Sequence, residues 1–319
     1  MRDGFGREMT YLRLSLTDQC NLRCRYCMPR EGVRFRQREE LLSDEELLRL
    51  LRLFASLGIS KLKLTGGEPL LRPHLKDLLH EMRAISGISE ITLTTNGTKP
   101  GLLASLLPDL DGVNVSLDTL SPAKFSDLTG GDDFSQVMES LHLLLDEKVN
   151  TKINVVPILG INDDEIRDLA ALAKEEDLKV RFIELMPIGC GAGFSGVPEK
   201  EVIAKIEAAF GPMTPSDFRS NGPASYFTLP GFRGQIGMIR GVDHRFCANC
   251  NRLRLTADGQ LKACLAARAQ ANLRDLLRQG ASDEKLLEAM KKATKQKPWA
   301  NHFDAAPTEE ERRMYEIGG

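Results

Sequence analysis

Several features are missing from this chain, and each absence excludes a class of protein. No window approaches the ~18 consecutive apolar residues of a membrane-spanning helix, and hydrophobic residues make up 42% of the 319 residues. Neither sign of charge dominates, because 43 Lys and Arg stand against 45 Asp and Glu. A general nucleic-acid binder would carry a basic footprint. The composition therefore predicts a globular protein with neither a membrane nor a nucleic acid among its partners.

The start of the chain lacks the apolar stretch of a secretion signal. Without such a signal, the seven cysteines indicate a reducing compartment and metal chemistry rather than disulfides. We therefore expect a cytoplasmic protein. Internal repeats, low-complexity tracts and long linkers are also absent. The length predicts one barrel-sized domain and an appended piece. We place the domain at residues 1–220 and the appended piece at residues 221–319.

Three cysteines lie close together after the first predicted strand: Cys20, Cys24 and Cys27. Their spacing lets all three turn toward one point, and soft thiolates select zinc, copper(I) or iron–sulfur clusters. The stretch has no fourth ligand. A structural zinc takes four protein ligands, whereas a cluster iron left without one keeps an open position. The spacing therefore predicts a cluster, with buried or zinc-bound cysteines as the alternative.

Strand and helix alternate along the first two-thirds of the chain. The predicted strands cover residues 11–16, 61–65, 90–95, 112–116, 151–157 and 179–186. Ser43 and Glu46 form a predicted capping box at the first helix, and Asn162 is predicted to cap a later helix that runs through Glu176. Six βα repeats of this kind predict a parallel sheet, open or closed into a partial barrel.

In five of these strands, apolar residues alternate with polar or cationic ones such as Arg13 and Lys63. A sheet covered on both faces would instead show nearly continuous apolar runs. One face is therefore predicted to pack on helices and the other to line a cavity for a polar, anionic ligand. A solvated polar face is the alternative. In the sixth strand, Arg181 and Met186 have opposite parity, so both face inward only with a bulge or if Met186 lies beyond the strand end.

The stretch Gly66-Gly67-Glu68-Pro69 follows the second strand, at the edge where ligands bind in such folds. Two glycines allow the backbone to approach a ligand closely, although by itself the stretch is typical of a strand-to-helix turn. Cys190 lies in a glycine-rich link. It has no cysteine nearby and is predicted to be a free thiol.

A second set of three cysteines lies near the end of the chain: Cys247, Cys250 and Cys264. Arg252 and Arg254 alternate on the strand predicted between them and so point the same way. His244 precedes Cys247 by three residues, so a zinc site with three cysteines and one histidine is an open alternative to a second cluster.

Taken together, these motifs resemble a known family. C-x3-C-x2-C with Tyr26 inside it, G-G-E-P, F-C-x2-C-N-R-x-R-L-T-x-D-G-x-L-x2-C-L and the terminal Gly318-Gly319 resemble the GTP 3′,8-cyclase family of molybdenum cofactor biosynthesis, within the radical S-adenosylmethionine (SAM) superfamily. The resemblance implies a partial (β/α)6 TIM-like barrel of the radical SAM type with a C-terminal α+β extension. It implies that a radical made from SAM takes the C3′ hydrogen of GTP, giving (8S)-3′,8-cyclo-7,8-dihydroguanosine 5′-triphosphate.

The resemblance also implies roles for individual residues. Two 4Fe–4S clusters would be bound by three cysteines each, Cys20, Cys24 and Cys27 in the barrel and Cys247, Cys250 and Cys264 in the extension. SAM would contact Tyr26, Gly66, Gly67, Glu68, Ser116 and Met186. GTP would contact Arg13, Lys61, Lys63, Thr94, Lys152, Arg181, Arg252, Leu253, Arg254, Gly318 and Gly319. The catalytic residues would be the three barrel cysteines with Arg252 and Arg254. The family has an arginine where this chain has Lys63, and a lysine lacks the bidentate fork that matches a phosphate.

The implied partners are an external electron donor of the flavodoxin or ferredoxin type and a cyclic pyranopterin monophosphate synthase that consumes the product. A homodimer is a further expectation. Two other functions remain open: another radical SAM reaction with an auxiliary cluster, such as peptide modification, and a non-enzymatic iron–sulfur or zinc protein. The extensions of peptide-modifying enzymes usually carry more than three cysteines, and the predicted cationic cavity argues against a simple carrier.

Overall fold

A computed structural model of the chain describes residues 1–218, 222–242, 246–301, 303 and 310–318. The strands of this described part are β1 (Tyr11–Ser15), β2 (Lys61–Thr65), β3 (Glu90–Thr95), β4 (Gly112–Ser116), β5 (Thr151–Val155), β6 (Lys179–Ile183), β7 (Thr214–Pro215), β8 (Ser225–Thr228), β9 (Gln235–Ile239), β10 (Arg252–Leu255), β11 (Gln260–Lys262) and β12 (Ala271–Asn272). Its α-helices are α1 (Asp44–Ser56), α2 (Leu75–Arg83), α3 (Pro100–Leu106), α4 (Pro122–Thr129), α5 (Phe134–Asp146), α6 (Ile166–Glu175), α7 (Glu199–Phe210), α8 (Leu273–Arg278), α9 (Asp283–Lys295) and α10 (Met314–Ile317). None of these helices is both long and apolar enough to cross a membrane.

The start of α1 follows from its local sequence. Ser43 Oγ accepts a hydrogen bond from Glu46 N at 3.1 Å, and Glu46 Oε2 accepts one from Ser43 N at 2.9 Å. The predicted capping box is therefore confirmed. Leu47, Leu51 and Phe54 then form the buried face of the helix, and they belong to the main hydrophobic core.

The prediction that Asn162 caps a helix is wrong. Asn162 Oδ1 accepts from Ile158 N at 2.7 Å, and its Nδ2 donates to Asp118 O at 2.8 Å. The amide is fully buried and satisfies the loop after β5, so it is not available to the helix end. Helix α6 begins later, with Glu165 as its N-cap. A short polar side chain can satisfy loop backbone as readily as a helix start, and here the tertiary contacts decide.

One sheet contains all the described strands, in the order β12-β11-β10-β1-β2-β3-β4-β5-β6-β9-β8-β7. Strands β1 to β6 are parallel neighbours in chain order, as repeated βα units require. Strand β10 pairs in parallel with β1, and β9 pairs in parallel with β6. The C-terminal part of the chain therefore extends both edges of the six-stranded barrel wall. The division of the chain near residue 220 stays a prediction.

The two faces of the barrel wall differ as the alternation predicted. Leu12 and Leu62 are fully buried in the core. On the other face, Arg13 lies opposite Lys63 of β2 and opposite Arg254 of β10 in the strand register. Three cations from three neighbouring strands thus share one row.

The parity conflict in the sixth strand has a simple resolution. Strand β6 ends at Ile183, so Met186 lies beyond the strand, in the loop that follows. Arg181 and Met186 can then both line the same cavity without a bulge. This is the second of the two possibilities that the sequence left open.

Candidate active site

The polar face of the sheet borders a cavity of about 340 Å³, a size typical of small-molecule sites. Its lining includes a first cysteine set, Cys20, Cys24 and Cys27, and a second cysteine set, Cys247, Cys250 and Cys264. Two motifs from opposite ends of the chain thus meet at one cavity.

The first cysteine set lies in the loop after β1. Arg23 N donates to Thr129 O at 2.6 Å, which fastens the loop to the end of α4, and Cys27 N donates to Cys24 O at 2.9 Å within the loop. Backbone hydrogen bonds therefore fix the loop that carries the three thiols.

Burial raises the pKa of all three thiols in the first cysteine set. Burial raises the pKa of Cys20 to about 11, with Glu68 adding to the rise, and burial, Cys20 and Cys190 raise the pKa of Cys27 to about 12. In the described parts of the chain, no three Cys, His, Asp or Glu side chains converge closely enough for a single metal ion. Three cysteine thiols carried by one loop at the cavity wall are the kind of soft donor set that holds an iron–sulfur cluster. His244, the possible zinc ligand of the second cysteine set, lies outside the described residues.

Gly66 and Gly67 are needed because the chain itself passes beside them. A Cβ on Gly67 would lie 2.3 Å from Gln19 O, and one on Gly66 would lie 2.6 Å from Thr17 O. The same two carbonyls accept hydrogen bonds from Glu68 N and Gly67 N, both at 2.7 Å. The sequence predicted that the backbone of this glycine turn approaches a ligand closely. The structure adds that the turn packs against the first cysteine loop. Gly66 and Gly67 also line the cavity.

Glu68 joins the ends of two strands. Its Oε1 accepts from Thr95 Oγ1 at 2.7 Å and from Leu70 N at 3.0 Å, and its Oε2 accepts from Asn96 N at 2.7 Å. Burial raises the pKa of Glu68 to about 7, although these donors oppose the rise. The carboxylate thus ties the turn after β2 to the end of β3, and its predicted contact with SAM stays a prediction.

Tyr26, Ser116 and Met186 all line the cavity. Tyr26 Oη donates to Asp118 Oδ2 at 2.7 Å, and Asp118 Oδ1 accepts from Val156 N at 2.7 Å. Burial raises the pKa of Asp118 to about 6. Sequence reasoning missed Asp118, although it follows Ser116 by two residues at the ligand-binding edge of the sheet.

Five predicted substrate contacts form the cationic lining of the cavity: Arg13, Lys63, Arg181, Arg252 and Arg254. Burial, followed by repulsion from Arg181, holds the pKa of Lys63 well below its usual range. Burial, followed by repulsion from Arg13, likewise lowers the pKa of Arg254. Buried cations that repel one another favour an anionic ligand between them. Thr94 lies in the same lining.

The described lining does not include Lys61, Lys152, Leu253 or Gly318. Lys61 Nζ lies 3.4 Å from Glu90 Oε2 in an ion pair. Lys152 Nζ donates to Asn150 Oδ1 at 3.3 Å. Leu253 is fully buried in the main core, on the side of β10 away from Arg252 and Arg254. Their contacts with substrate stay predictions.

The second cysteine set lies among cationic groups. Lys297 Nζ donates to Arg252 O at 2.8 Å and lines the cavity. Burial raises the pKa of Cys250, but Arg252 and Lys297 outweigh it and bring the pKa to about 7. A thiol whose anionic form is stabilised in this way is a suitable metal ligand. Cys247 Sγ in addition accepts from Asn301 N at 3.4 Å.

The end of the chain reaches the cationic row. Gly318 is buried, and its carbonyl accepts a hydrogen bond from Arg254. The tail is also held by Arg312, whose Nη1 and Nη2 each lie 3.1 Å from an oxygen of Asp258. Gly319, the other predicted tail residue, lies outside the described residues.

Two family models match the chain in succession. The model described as Radical SAM superfamily matches residues 14–173, and the model described as Molybdenum Cofactor Synthesis C matches residues 178–303. The second model covers both the second cysteine set and the strands that extend the edges of the barrel wall.

Known proteins resemble the chain over its full length. GTP 3′,8-cyclases of Clostridium perfringens (strain 13) and Moorella thermoacetica are each 43% identical to it, with 100% of both chains covered. Human molybdenum cofactor biosynthesis protein 1 is 44% identical over 90% of this chain and 46% of its own length.

Solved structures show the same fold at low identity. Streptococcus suis SuiB bound to S-adenosylmethionine matches with a TM-score of 0.61 at 14% identity, over 89% of this chain and 68% of that one. Native anSMEcpe with bound AdoMet matches with a TM-score of 0.57 at 16% identity, over 89% of this chain and 81% of that one. These two likenesses concern the fold alone, whereas the full-length relatives and the two family models identify the family. The chain belongs to the GTP 3′,8-cyclase family of the radical SAM superfamily.

Proposed function

We propose that the chain is a radical SAM GTP 3′,8-cyclase, which converts GTP to (8S)-3′,8-cyclo-7,8-dihydroguanosine 5′-triphosphate in the first step of molybdenum cofactor biosynthesis. One observation carries the proposal: a single cavity joins the first cysteine set, a group of buried cations and the second cysteine set. The full-length relatives named GTP 3′,8-cyclase support it.

In this proposal, the first cysteine set binds a 4Fe–4S cluster, and Tyr26, Gly66, Gly67, Ser116 and Met186 surround SAM. When bound, the cluster and SAM supply a carbon-centred radical able to take a hydrogen atom from C3′ of GTP. The chain contributes position and shielding. The hydrogen bond from Tyr26 to Asp118 fixes the phenol ring at the cavity wall, and the docked glycine turn holds the cysteine loop in place.

The triphosphate of GTP is proposed to bind Arg13, Lys63, Arg181 and Thr94. These side chains lie on the polar face of the barrel wall, three of them with a positive charge that burial makes costly. A polyanion offsets that cost, and the low dielectric of the interior strengthens each contact. Lys63 offers a single charged donor in place of the fork of an arginine, so its contact with phosphate is less directional.

The guanine end of GTP is proposed to lie at the second cysteine set, beside Arg252 and Arg254. This set would bind a second 4Fe–4S cluster with an open iron. Lys297 and the backbone N–H of Asn301 stabilise the negative charge of its thiolates. With guanine held beside Arg252 and Arg254, the ribose would lie between the two cysteine sets. Hydrogen transfer from the ribose requires this position near SAM.

The partners follow from this chemistry and are part of the proposal. An external reductant of the flavodoxin or ferredoxin type would supply electrons, and a cyclic pyranopterin monophosphate synthase would consume the product.

Deuterium placed at C3′ of GTP tests the reaction. Anaerobically purified enzyme with about eight irons per chain, the content of two 4Fe–4S clusters, should transfer that deuterium to 5′-deoxyadenosine and form the cyclised nucleotide. Turnover without deuterium transfer would mean that another hydrogen is taken. If GTP neither accelerates SAM cleavage nor yields a cyclised product, GTP is not the substrate. Zinc at the second cysteine set, with iron only at the first, would reject the two-cluster arrangement.

A further inference from the structure

Two buried cations of the cavity lining are held by neutral amides instead of carboxylates. In the described part of the chain, neither Lys63 nor Arg181 forms an ion pair. Each is 7% exposed. Their hydrogen-bond partners are the side chains of Asn114 and Asn154. Both asparagines line the same cavity.

The orientation of the Asn114 amide follows from its neighbours. One end of the amide faces Lys63 Nζ at 2.8 Å, Arg181 Nη2 at 3.1 Å and Thr94 Oγ1 at 3.1 Å. Both cations are donors without acceptor capacity, so only the amide oxygen can face them. Asn114 Oδ1 therefore bridges a cation of β2 and a cation of β6 from a strand between them.

Asn154 supports the same arrangement from the neighbouring strand. Its Oδ1 accepts from Arg181 Nε at 3.0 Å and also from Arg181 Nη2. In the strand register Asn154 lies directly beside Arg181. The guanidinium is thus fixed by two asparagine oxygens, on β4 and β5.

The choice of amide over carboxylate has an electrostatic consequence. Aspartate has the same shape as asparagine and would form buried ion pairs with both cations, satisfying their charge inside the protein. An amide oxygen orients a cation and leaves its charge available for a ligand. Burial, followed by repulsion from Arg181, lowers the pKa of Lys63, as expected for two cations that share a neutral amide.

We propose that Asn114, assisted by Asn154, is a positioning residue that orients Lys63 and Arg181 toward the triphosphate of the substrate while keeping their charge uncompensated. The inference rests on the proposed function, since it assigns the polyanionic end of GTP to these two cations. It adds a specific reason for an amide at this point of the barrel wall: a carboxylate would stabilise the empty protein at the expense of the ligand.

The test is Asn114→Asp in the full-length, cluster-loaded protein. We expect affinity for GTP, and for inorganic triphosphate as a probe of the anion site, to fall by about tenfold or more. We expect the unfolding temperature to stay the same or rise, because the new carboxylate pairs with both cations. The KM for GTP should increase, with a smaller change in kcat. Asn154→Asp should act in the same direction through Arg181.

Ser282→Asp is the matched control. Ser282 is an exposed N-cap of α9, where aspartate caps equally well, so this change adds the same single charge away from the cavity. It should alter neither affinity nor KM.

Three results separate this inference from the proposed function. Equal binding of inorganic triphosphate by wild-type and Asn114→Asp protein would overturn the inference. Loss of stability together with affinity in both aspartate variants would also overturn it, because the asparagines would then serve packing alone. Wild-type protein that binds triphosphate but never converts GTP would reject the proposed function, while a weaker triphosphate affinity of Asn114→Asp would still support the charge argument.

Discussion

Arg254 Nη1 donates a hydrogen bond to Gly318 O at 2.9 Å, which joins the last described residue of the chain to a buried cation of the cavity lining. Gly318 has a φ of 74°, in the left-handed region that favours glycine. It lies between Ser15 and Thr65, the last residues of β1 and β2. Gly318 is therefore packed against the ends of β1 and β2, while Met314 and Tyr315 of the same tail line the cavity.

Gly318→Ala is expected to displace the tail. A Cβ there would lie 2.7 Å from Thr65 Oγ1 and 2.9 Å from Ser15 Cβ, and alanine disfavours the positive φ. GTP cyclisation should fall by about tenfold or more, with a smaller effect on unfolding temperature, because the buried tail residues Tyr315 and Ile317 lie outside the main hydrophobic core. Product formation and thermal unfolding measure the two effects. Gly280→Ala is the control, since Gly280 has a φ of 77° and open space around its Cα. Equal activity of both variants would contradict a role for the tail.

Gly67→Ala is expected to detach the glycine turn from the first cysteine loop. The new Cβ would lie 2.3 Å from Gln19 O, and because this neighbour is backbone, the loop must move. Iron at the first cysteine set should be lost, and stability should fall by about 1–3 kcal/mol. Iron counts and cluster spectra measure the first effect. Gly101→Ala, in α3 with nothing within 4 Å, should retain all iron. A Gly67→Ala protein with full iron content and wild-type stability would refute the packing argument.

Arg252→Gln is expected to weaken the use of GTP more than the cleavage of SAM. The Arg252 guanidinium stacks on Phe246 at 4.4 Å from the ring centroid, beside the second cysteine set. Its loss should reduce cyclised product by about tenfold or more, while GTP-independent formation of 5′-deoxyadenosine stays near the wild-type rate. Arg252→Lys, which keeps the charge, should retain part of the activity. Equal loss of both reactions in the glutamine variant would place Arg252 in SAM cleavage.

Lys152 is expected to make GTP binding depend on pH. Burial, then repulsion from Arg181 and Lys179, lowers its pKa to about 8. The group therefore loses its charge as pH rises through about 8, and a nearby polyanion favours the charged form. Affinity for GTP should fall above that pH, with proton uptake on binding. Calorimetric titrations at about pH 7 and about pH 9 measure both effects. Lys152→Met should bind more weakly and lose this pH dependence, whereas an unchanged pH profile in that variant would exclude Lys152.

Local sequence patterns determined much of the fold. The capping box of Ser43 and Glu46 needs only four consecutive residues, so it was predictable. The alternation in the barrel strands identified Arg13 and Lys63 as part of a cationic face, since side chains of a strand alternate between its faces whatever its neighbours are. Helices α3 and α4 were not predicted.

Contacts between distant parts of the chain could not be predicted from such local patterns. Asn162 looks like a helix cap until its buried loop partners are known. Gly67 looks like a ligand-facing glycine until Gln19 is placed beside it. Asn114 has the ordinary appearance of a polar strand residue. Only the register of β2, β4 and β6 around the cavity shows that it bridges two cations.

The sequence by itself determined the family and the chemistry, because cysteine spacing and strand periodicity are properties of consecutive residues. The tertiary structure alone decided that β10 pairs with β1 and so sets Arg254 beside Arg13. It also decided that Gly318 accepts a hydrogen bond from Arg254 of that row and that the two cysteine sets line one cavity. These relationships depend on the packing of residues far apart in the chain, and no local preference of the sequence specifies which distant strand will lie alongside.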